Sequence, residues 1–342
     1  MRLWKAVGLT LLLALARVGT AGEAPTLDEV VAELTGEAPM SERTKTKLRA
    51  TYNSVLDLLL PKLGGKDLKA REQAQITLKH LSWHAARPGA DEQRTALAKA
   101  PCARLEPQMP QPALLALLRR LETVGGEESV TPVTALLDAA PLARERARVT
   151  LAANPSPGAT DALLDALGQA QAADWTVGLI NALGARGDER VVPALIRHAA
   201  SEDEAVRVAA CDALAAIGDP RGADAIARAT QKQNSKAALH AIGRAYLRMA
   251  DQRCARAEKE EALEMYRQFL DSVPYLRCAA IIGLGRAGGP DEIPTLFQAL
   301  ADDSAEIRGA GRAALELLPV EAVRQAVAAR AKSAQPQMLV QL

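Results

Sequence analysis

Residues 204–229 read EAVRVAACDALAAIGDPRGADAIARA and combine a helical pattern with a turn. Apolar or small side chains recur every three or four residues as far as Leu214, as on one face of a helix. Gly218 can adopt the left-handed conformation that ends a helix, and Asp219 can cap the start of the next one. The stretch therefore predicts two short helices joined by a tight turn.

The same pattern recurs along the chain. An Arg followed seven residues later by Leu marks copies that begin at Arg71, Arg144, Arg207, Arg277 and Arg308. In a further copy, Asp188 takes the place that Asp219 has in the first stretch. Complete neighbouring copies are about 31 residues apart, a period that holds two short helices and two turns. One such hairpin cannot bury its apolar stripe alone, so the sequence predicts an all-α fold of stacked hairpins.

Two other stretches carry the pattern in full, LINALGARGDERVVPALI at 179–196 and LRCAAIIGLGRAGGPDEIPTLFQAL at 276–300. With the stretch quoted first, they resemble HEAT repeats of the short bacterial kind that also occurs in phycobilisome-lyase-like proteins. The resemblance covers residues 67–332 and implies a right-handed α-solenoid that binds or scaffolds proteins. It also implies that the repeated arginines form ladders of ion pairs between repeats. Residues 233–273 depart from the pattern and resemble a tetratricopeptide-type hairpin with a longer loop.

The two ends of the chain differ from the repeat array. Residues 1–21 join a basic start to an apolar run and then small residues, which predicts a secretory signal peptide. The apolar run is shorter than the roughly 20 residues that span a bilayer, and a buried N-terminal helix is the alternative. We expect capping helices in 22–66 and a frayed tail in 333–342. The protein is thus expected in the periplasm or outside the cell, and not as an integral membrane protein.

Charge and cysteine content limit the classes of function. The formal net charge is +1, so no strong field attracts nucleic acid. Export would permit disulfides, but Cys254 and Cys278 are expected about 18 Å apart, at the two ends of an intervening helix, which is too far for a bond. Cys254 is predicted in a loop and Cys102 in a Pro-rich connection. We expect mostly free, partly buried thiols.

A metal or catalytic site has little support in the sequence. His80 and His84 have helical spacing, but Leu81 stands where a zinc peptidase motif has Glu, and no third ligand is near. We expect structural histidines beside Trp83, with an unrecognised metal site as the alternative. The resemblance also extends to bilin lyases and di-iron hydroxylases, but no bilin pocket is identifiable and the sequence lacks a His-Glu pair. We expect no catalytic residue, no cofactor and no metal.

The second helices are predicted to carry a cationic patch. Arg190 aligns with Arg221, and Arg197 with Arg228, one repeat apart. At 100° per residue these side chains point away from the apolar stripe, which in a HEAT-like stack is the concave side. Four guanidinium groups there would suit a carboxylate, a sulfate or a phosphate.

The alternative for these arginines is an ordinary solvated face. Asp224 has the spacing to pair with both Arg221 and Arg228. Pro193 holds the equivalent place one repeat earlier, so Arg190 and Arg197 are expected to lack that partner.

These features favour an exported, non-enzymatic scaffold that binds a protein or an anionic polymer other than nucleic acid. A helical accessory module of a larger catabolic or carbohydrate-processing system is the first alternative. An enzyme with a metal near the histidine pair is the second.

Overall fold

A computed structural model describes residues 42–232 and 235–333, with side chains from 52 to 330. The chain divides into two compact units, Met1–Leu163 and Leu164–Leu342. Within the described ranges every regular element is a helix and none is a strand, so the prediction of an all-α fold is confirmed. The predicted signal peptide, the first capping helix and almost all of the predicted tail lie outside the described residues.

The described part of the first unit is a series of antiparallel helices. They are α1 (Glu42–Gly64), α2 (Leu68–Ala85), α3 (Asp91–Cys102), α4 (Gln111–Val124), α5 (Glu127–Thr134), α6 (Pro141–Ala153) and the start of α7 (Pro157–Gln169). Helix α1 belongs to the predicted cap and buries Leu56 and Leu63 in the core. The prediction that Cys102 lies in a connection was wrong. Helix α3 continues to this residue because its last turn buries Ala100 and Pro101.

The second unit is a stack of helical hairpins. Its helices after α7 are α8 (Ala173–Arg186), α9 (Val192–Ala199), α10 (Glu204–Ile217), α11 (Ala223–Thr230), α12 (Lys236–Ala255), α13 (Lys259–Arg267), α14 (Pro274–Ala287), α15 (Ile293–Leu300), α16 (Ala305–Glu316) and α17 (Val320–Ser333). The first helices of successive hairpins pack side by side, from α8 through α10, α12 and α14 to α16. The predicted HEAT-like stacking of hairpins is confirmed.

Close packing of the first helices follows a fixed register. A Cβ atom added to Gly184 of α8 would lie 2.7 Å from the Cβ of Ala213 in α10. One added to Gly285 of α14 would lie 2.4 Å from the carbonyl oxygen of Ala314 in α16. Both glycines and both alanines hold the same two places in the repeat. Small residues there let the two helix backbones approach each other.

The turns inside the α8–α9 and α10–α11 hairpins have the predicted parts. Gly187 and Gly218 end α8 and α10 in the left-handed region, at φ 69° and 74°. Asp188 and Asp219 then cap a short 3-10 turn, and not the α-helix directly, by accepting backbone N–H groups. The glycine that ends the first helix and the aspartate that caps the next turn can therefore both be identified from the sequence.

The repeated arginines lie at the other turns, those between hairpins. Three of them donate to a backbone carbonyl six residues earlier: Arg71 to Gly65, Arg207 to Ser201 at 2.6 Å, and Arg308 to Asp302 at 2.8 Å. Arg277 makes a contact of the implied ladder type, an ion pair of 2.7 Å with Asp302 of the next turn. Arg144 is half-buried on α6. Arg71, Arg207 and Arg308 thus fasten the turn that precedes their own helix.

The irregular hairpin differs from the prediction in where its extra residues lie. They extend α12 to 20 residues instead of forming a longer loop, and Cys254 is in the last turn of that helix. The added turn reaches back over the end of α10, where Gln252 donates to the Ala215 carbonyl at 3.0 Å. Arg256 donates to the Gly218 carbonyl at 2.7 Å. Helix α12 continues because its last turn gains these partners.

Candidate binding surface

Two of the four predicted patch arginines are neutralised by their own turn. Arg190 lies in the 3-10 turn before α9, and its Nη2 is 2.8 Å from a carboxylate oxygen of Asp188. The partner of Arg190 is therefore Asp188, a pairing that the sequence interpretation did not consider. The capping Asp188 accepts the Arg190 backbone N–H, at 3.0 Å, and so lies beside the guanidinium of the same residue.

Arg221 repeats this arrangement one hairpin later. Its Nε lies 3.0 Å from both carboxylate oxygens of Asp219, whose side chain is only 8% exposed. The hydrogen bond from Arg221 lowers the pKa of the Asp219 carboxyl below its ordinary value. Arg221 also donates to the Glu189 carbonyl of the preceding turn, at 3.4 Å. Both turn arginines are therefore paired with the carboxylate that caps their own turn.

The two helical arginines are in a different state. Arg197 of α9 and Arg228 of α11 are exposed at equivalent places in neighbouring hairpins. Neither side chain makes a hydrogen bond or an ion pair within residues 42–232 and 235–333. Asp224 forms no ion pair with Arg221 or Arg228 in that part of the chain, so the alternative pairing is not observed. Of the four predicted patch arginines, Arg197 and Arg228 are the two whose guanidinium groups have no partner in the part of the chain that the structure describes.

A groove lies between α9 and α11, and Arg228 is one of its lining residues. Its volume is about 130 Å³, and its lining is mostly small and apolar: Ile196, Ala199, Ala200, Ala225, Arg228, Ala229 and Lys232. Four of the seven lining residues are alanines. Their short side chains leave the space between the two helices open. We call Arg197, Arg228 and this groove the α9–α11 surface.

Lys232 is the groove residue that the sequence interpretation missed. Its ammonium group donates to the Ala200 carbonyl at 2.8 Å and to a Glu202 carboxylate oxygen at 2.6 Å. Lys232 follows Arg228 by four residues, the spacing of one helical face, and that is the signal that could have identified it. The edge of the groove near Lys232 is thus partly neutralised, whereas the edge at Arg228 is not.

The histidine pair does not form a metal site with a third ligand. His80 is exposed, with its ring centroid 6.2 Å from that of Trp83, while His84 is half-buried. Burial, with Arg87 second, lowers the pKa of His84 below its usual value. No group of three or more His, Cys, Asp or Glu side chains lies in position to hold a metal ion among the described residues.

The four cysteines are all free thiols, and none is paired in the structure. Cys211 is fully buried in α10, and burial raises the pKa of its thiol to about 12. Burial likewise raises the pKa of Cys102 to about 12, with Glu128 second. Such thiols are poor nucleophiles at neutral pH.

Comparison with known proteins adds a family for the centre of the chain. A family model for HEAT repeats matches residues 161–246, which include α8 to α11 and the α9–α11 surface. No curated protein matches the chain. Among solved structures, the crystal structure of an engineered protein is 17% identical, covers 91% of this chain and 95% of its own, and gives a TM-score of 0.39. No described helix has the length and apolar character to cross a membrane.

Proposed function

We propose that this protein is an exported, non-enzymatic scaffold that binds another protein or an anionic polymer through the α9–α11 surface. The observation that carries the proposal is the contrast among its arginines. Arg190 and Arg221 pair with the carboxylates of their own turns, whereas the side chains of Arg197 and Arg228 have no partner among the described residues, and Arg228 lines an apolar groove. An apolar recess with an exposed arginine in its lining has the composition of a binding surface.

The HEAT-repeat match supports the same role, because stacked helical repeats present extended surfaces that bind other macromolecules. Export rests on the pattern of residues 1–21 and has its own test. Mass spectrometry of the protein from its native host is expected to find a chain that begins near Gly22. An intact Met1 terminus on soluble cytoplasmic protein would rule out export.

The binding role is tested by affinity capture from the native envelope fraction, with the mature chain as bait. The double variant Arg197→Glu/Arg228→Glu is expected to lose a partner that the wild-type chain retains. Arg312→Glu/Lys259→Glu is the matched control, since it makes the same change in charge at two exposed residues on other helices. Circular dichroism of each variant verifies folding. If the α9–α11 variant retains every partner of the wild type, the proposal is wrong.

A further inference from the structure

We infer that residues 26–36 fold back as a helix onto the outer face of α2 and cover Ile76 and Trp83. This segment belongs to the first of the predicted capping helices and lies outside the described residues. Three observations support the contact: two large apolar side chains are exposed on one face of α2, the described chain begins near the end of that face, and the charges of the segment and of α2 are opposite.

Helix α2 exposes large apolar side chains opposite its buried side. Ile76 is 46% exposed and Trp83 is 49% exposed. The two residues are seven apart, which is about two turns, so they lie on one face of the helix. At 100° per residue that face points away from the buried Leu78 and Ser82. Exposed apolar side chains that share a face are a common mark of an interaction surface.

Two basic side chains lie between these apolar ones. The Lys79 ammonium group is 4.3 Å from the centre of the Trp83 ring, and the His80 ring centroid is 6.2 Å from that of Trp83. Both Lys79 and His80 are exposed. With Ile76 they form a stripe at positions i, i+3, i+4 and i+7 along the helix. We call Ile76, Lys79, His80 and Trp83 the α2 stripe.

The described chain begins near the Trp83 end of this stripe. Helices α1 and α2 pack against each other and are antiparallel, so the start of α1 lies toward the end of α2. Burial raises the pKa of the Tyr52 hydroxyl to about 12, and Arg87, just beyond α2, partly opposes this rise. Tyr52 of α1 is therefore close to the end of α2. Helix α1 extends back to Glu42, about 15 Å further along its axis.

The preceding segment is long enough to return to the α2 stripe. Residues 37–41 span up to about 17 Å when extended, which brings residue 36 back level with the end of α2. As a helix, residues 26–36 are about 16 Å long, whereas Trp83 and Ile76 are about 10 Å apart along α2. The segment therefore covers the whole stripe. Leu68, a further 12 Å or so along α2, lies beyond its reach.

The sequence of the segment fits an apolar face. Four apolar residues recur at the spacing of one helical face: Leu27, Val30, Val31 and Leu34. Thr26 and Glu29 have the spacing of a capping box, which indicates where the helix begins. Gly36 suits its end. The segment can thus present one apolar side to Ile76 and Trp83.

Charge favours the same contact. Residues 22–41 contain five acidic residues and no Lys or Arg. Helix α2 contains Lys69, Arg71 and Lys79, and its one acidic residue is Glu72. Lys69 and Lys79 form no ion pair in the part of the chain that the structure describes. An acidic segment is therefore attracted to α2 and not repelled by it.

The test is tryptophan fluorescence of the mature chain. With Trp175→Phe, Trp83 is the only tryptophan from residue 22 onward. Leu34→Asp is expected to raise the acrylamide quenching constant of Trp83 about twofold, because the half of the indole that α2 leaves exposed returns to water. Ala32→Asp adds the same charge on the opposite side of the segment and is expected to leave the constant unchanged. Equal quenching of the wild type and Leu34→Asp overturns the inference.

Proteolysis gives a second readout that leaves the segment unchanged. A glutamate-specific protease can cleave after Glu29 and Glu33. Ile76→Ser is expected to speed this cleavage about fivefold, because the segment loses an apolar contact and opens more often. Leu68→Ser makes a similar change at an exposed residue beyond the reach of the segment, and is expected to have no effect. Equal cleavage of these two variants overturns the inference, also where Leu34→Asp does not fold.

Dilution separates this contact from other occupants of the stripe. If Trp83 becomes accessible on dilution of the wild-type chain, and Leu34→Asp has no effect, a second copy covers the stripe and the inference is wrong. Quenching of Trp83 that falls only when another protein is added has the same consequence. The α2 stripe and the α9–α11 surface belong to different units, so these results leave the proposed function unchanged.

Discussion

The regular hairpins from α8 to α11 and the irregular hairpin of α12 and α13 end their first helices in different ways. In each hairpin the chain must leave the first helix and turn back toward the second. Gly187 and Gly218 do this in the left-handed region, where glycine has no steric cost. In the irregular hairpin Ala257 takes that conformation, at φ 66°, after a helix of 20 residues. Regular repeats rely on local chemistry, whereas the irregular one depends on contacts with a neighbouring helix.

The same contrast appears where first helices pack. In the regular pair α14 and α16, a Cβ on Gly285 would meet the backbone of Ala314, which cannot move without the helix. In the irregular helix α12, a Cβ on Gly243 would meet side chains of Leu276 and Phe269, the nearest at 2.6 Å. Side chains can change rotamer, so a regular interface is expected to tolerate less change than the irregular one.

The largest expected effect follows directly. Gly285→Ala is expected to lower the free energy of unfolding by about 3 kcal/mol, at the upper end for overpacking, because two helix backbones must separate. Gly243→Ala is expected to cost about 1 kcal/mol, since only side chains must shift. Gly309→Ala, in open space on α16, is the control and is expected to stabilise the chain by about 0.5–1 kcal/mol. Urea denaturation measures all three, and equal losses for Gly285→Ala and Gly243→Ala would contradict the comparison.

The turn glycines give a second, smaller effect. Gly187→Ala is expected to cost about 1 kcal/mol from the left-handed backbone alone, because nothing lies within 4 Å of the added methyl. Gly218→Ala is expected to cost more, since its Cβ would lie 2.6 Å from the Gln252 side chain of α12. The double variant Gly218→Ala/Gln252→Ala removes the side chain that the new Cβ would meet. Its remaining loss of stability therefore measures the cost of the left-handed backbone alone. Thermal unfolding would contradict this account if both glycine variants were neutral.

Ala257→Gly is the reciprocal change in the irregular hairpin. It is expected to stabilise the chain by about 0.5–1 kcal/mol, because glycine adopts the left-handed conformation without strain. The gain is measured by urea denaturation, with Ala255→Gly as the control that loses stability inside the end of α12. A loss at Ala257→Gly as large as at Ala255→Gly would show that the turn is not strained.

Substitution of the turn carboxylate Asp219 is expected to change the free energy of unfolding least, and that change is expected to depend on pH. Asp219→Asn is expected to cost less than about 1 kcal/mol at pH 7, because Asn still caps the turn but loses the pair with Arg221. The pKa of Asp219 is lowered in the folded state, chiefly by the hydrogen bond from Arg221. Its contribution is therefore complete above the unfolded value near 3.8 and disappears as pH falls through the folded value. A difference between wild type and variant that stays constant from pH 7 to pH 2 would contradict this.

Much of the fold follows from the sequence because the decisive chemistry is local. The helix-ending glycines, the capping Asp188 and Asp219, and the stripe that leads to Leu214 each act within a few residues. The length of α12 could not be predicted in that way. It depends on the bond from Gln252 to the Ala215 carbonyl, between residues that are 37 positions apart.

The binding surface was only half predictable for a similar reason. Spacing placed Arg197 and Arg228 on the second helices, where the structure has them. The pattern Gly-Asp-x-Arg at the turns could have indicated that Arg190 and Arg221 pair with the Asp two residues earlier. No sequence pattern identifies the groove, because it is the space that small residues on two different helices leave between them.

The most direct test of the central claim, that the free arginines of α9 and α11 mark the surface where a partner binds, is hydrogen–deuterium exchange. The mature chain is compared alone and with the partner captured from the envelope. The account predicts slower amide exchange in residues 192–232 on binding and no change in α16. Slower exchange confined to helices outside residues 192–232 would contradict it.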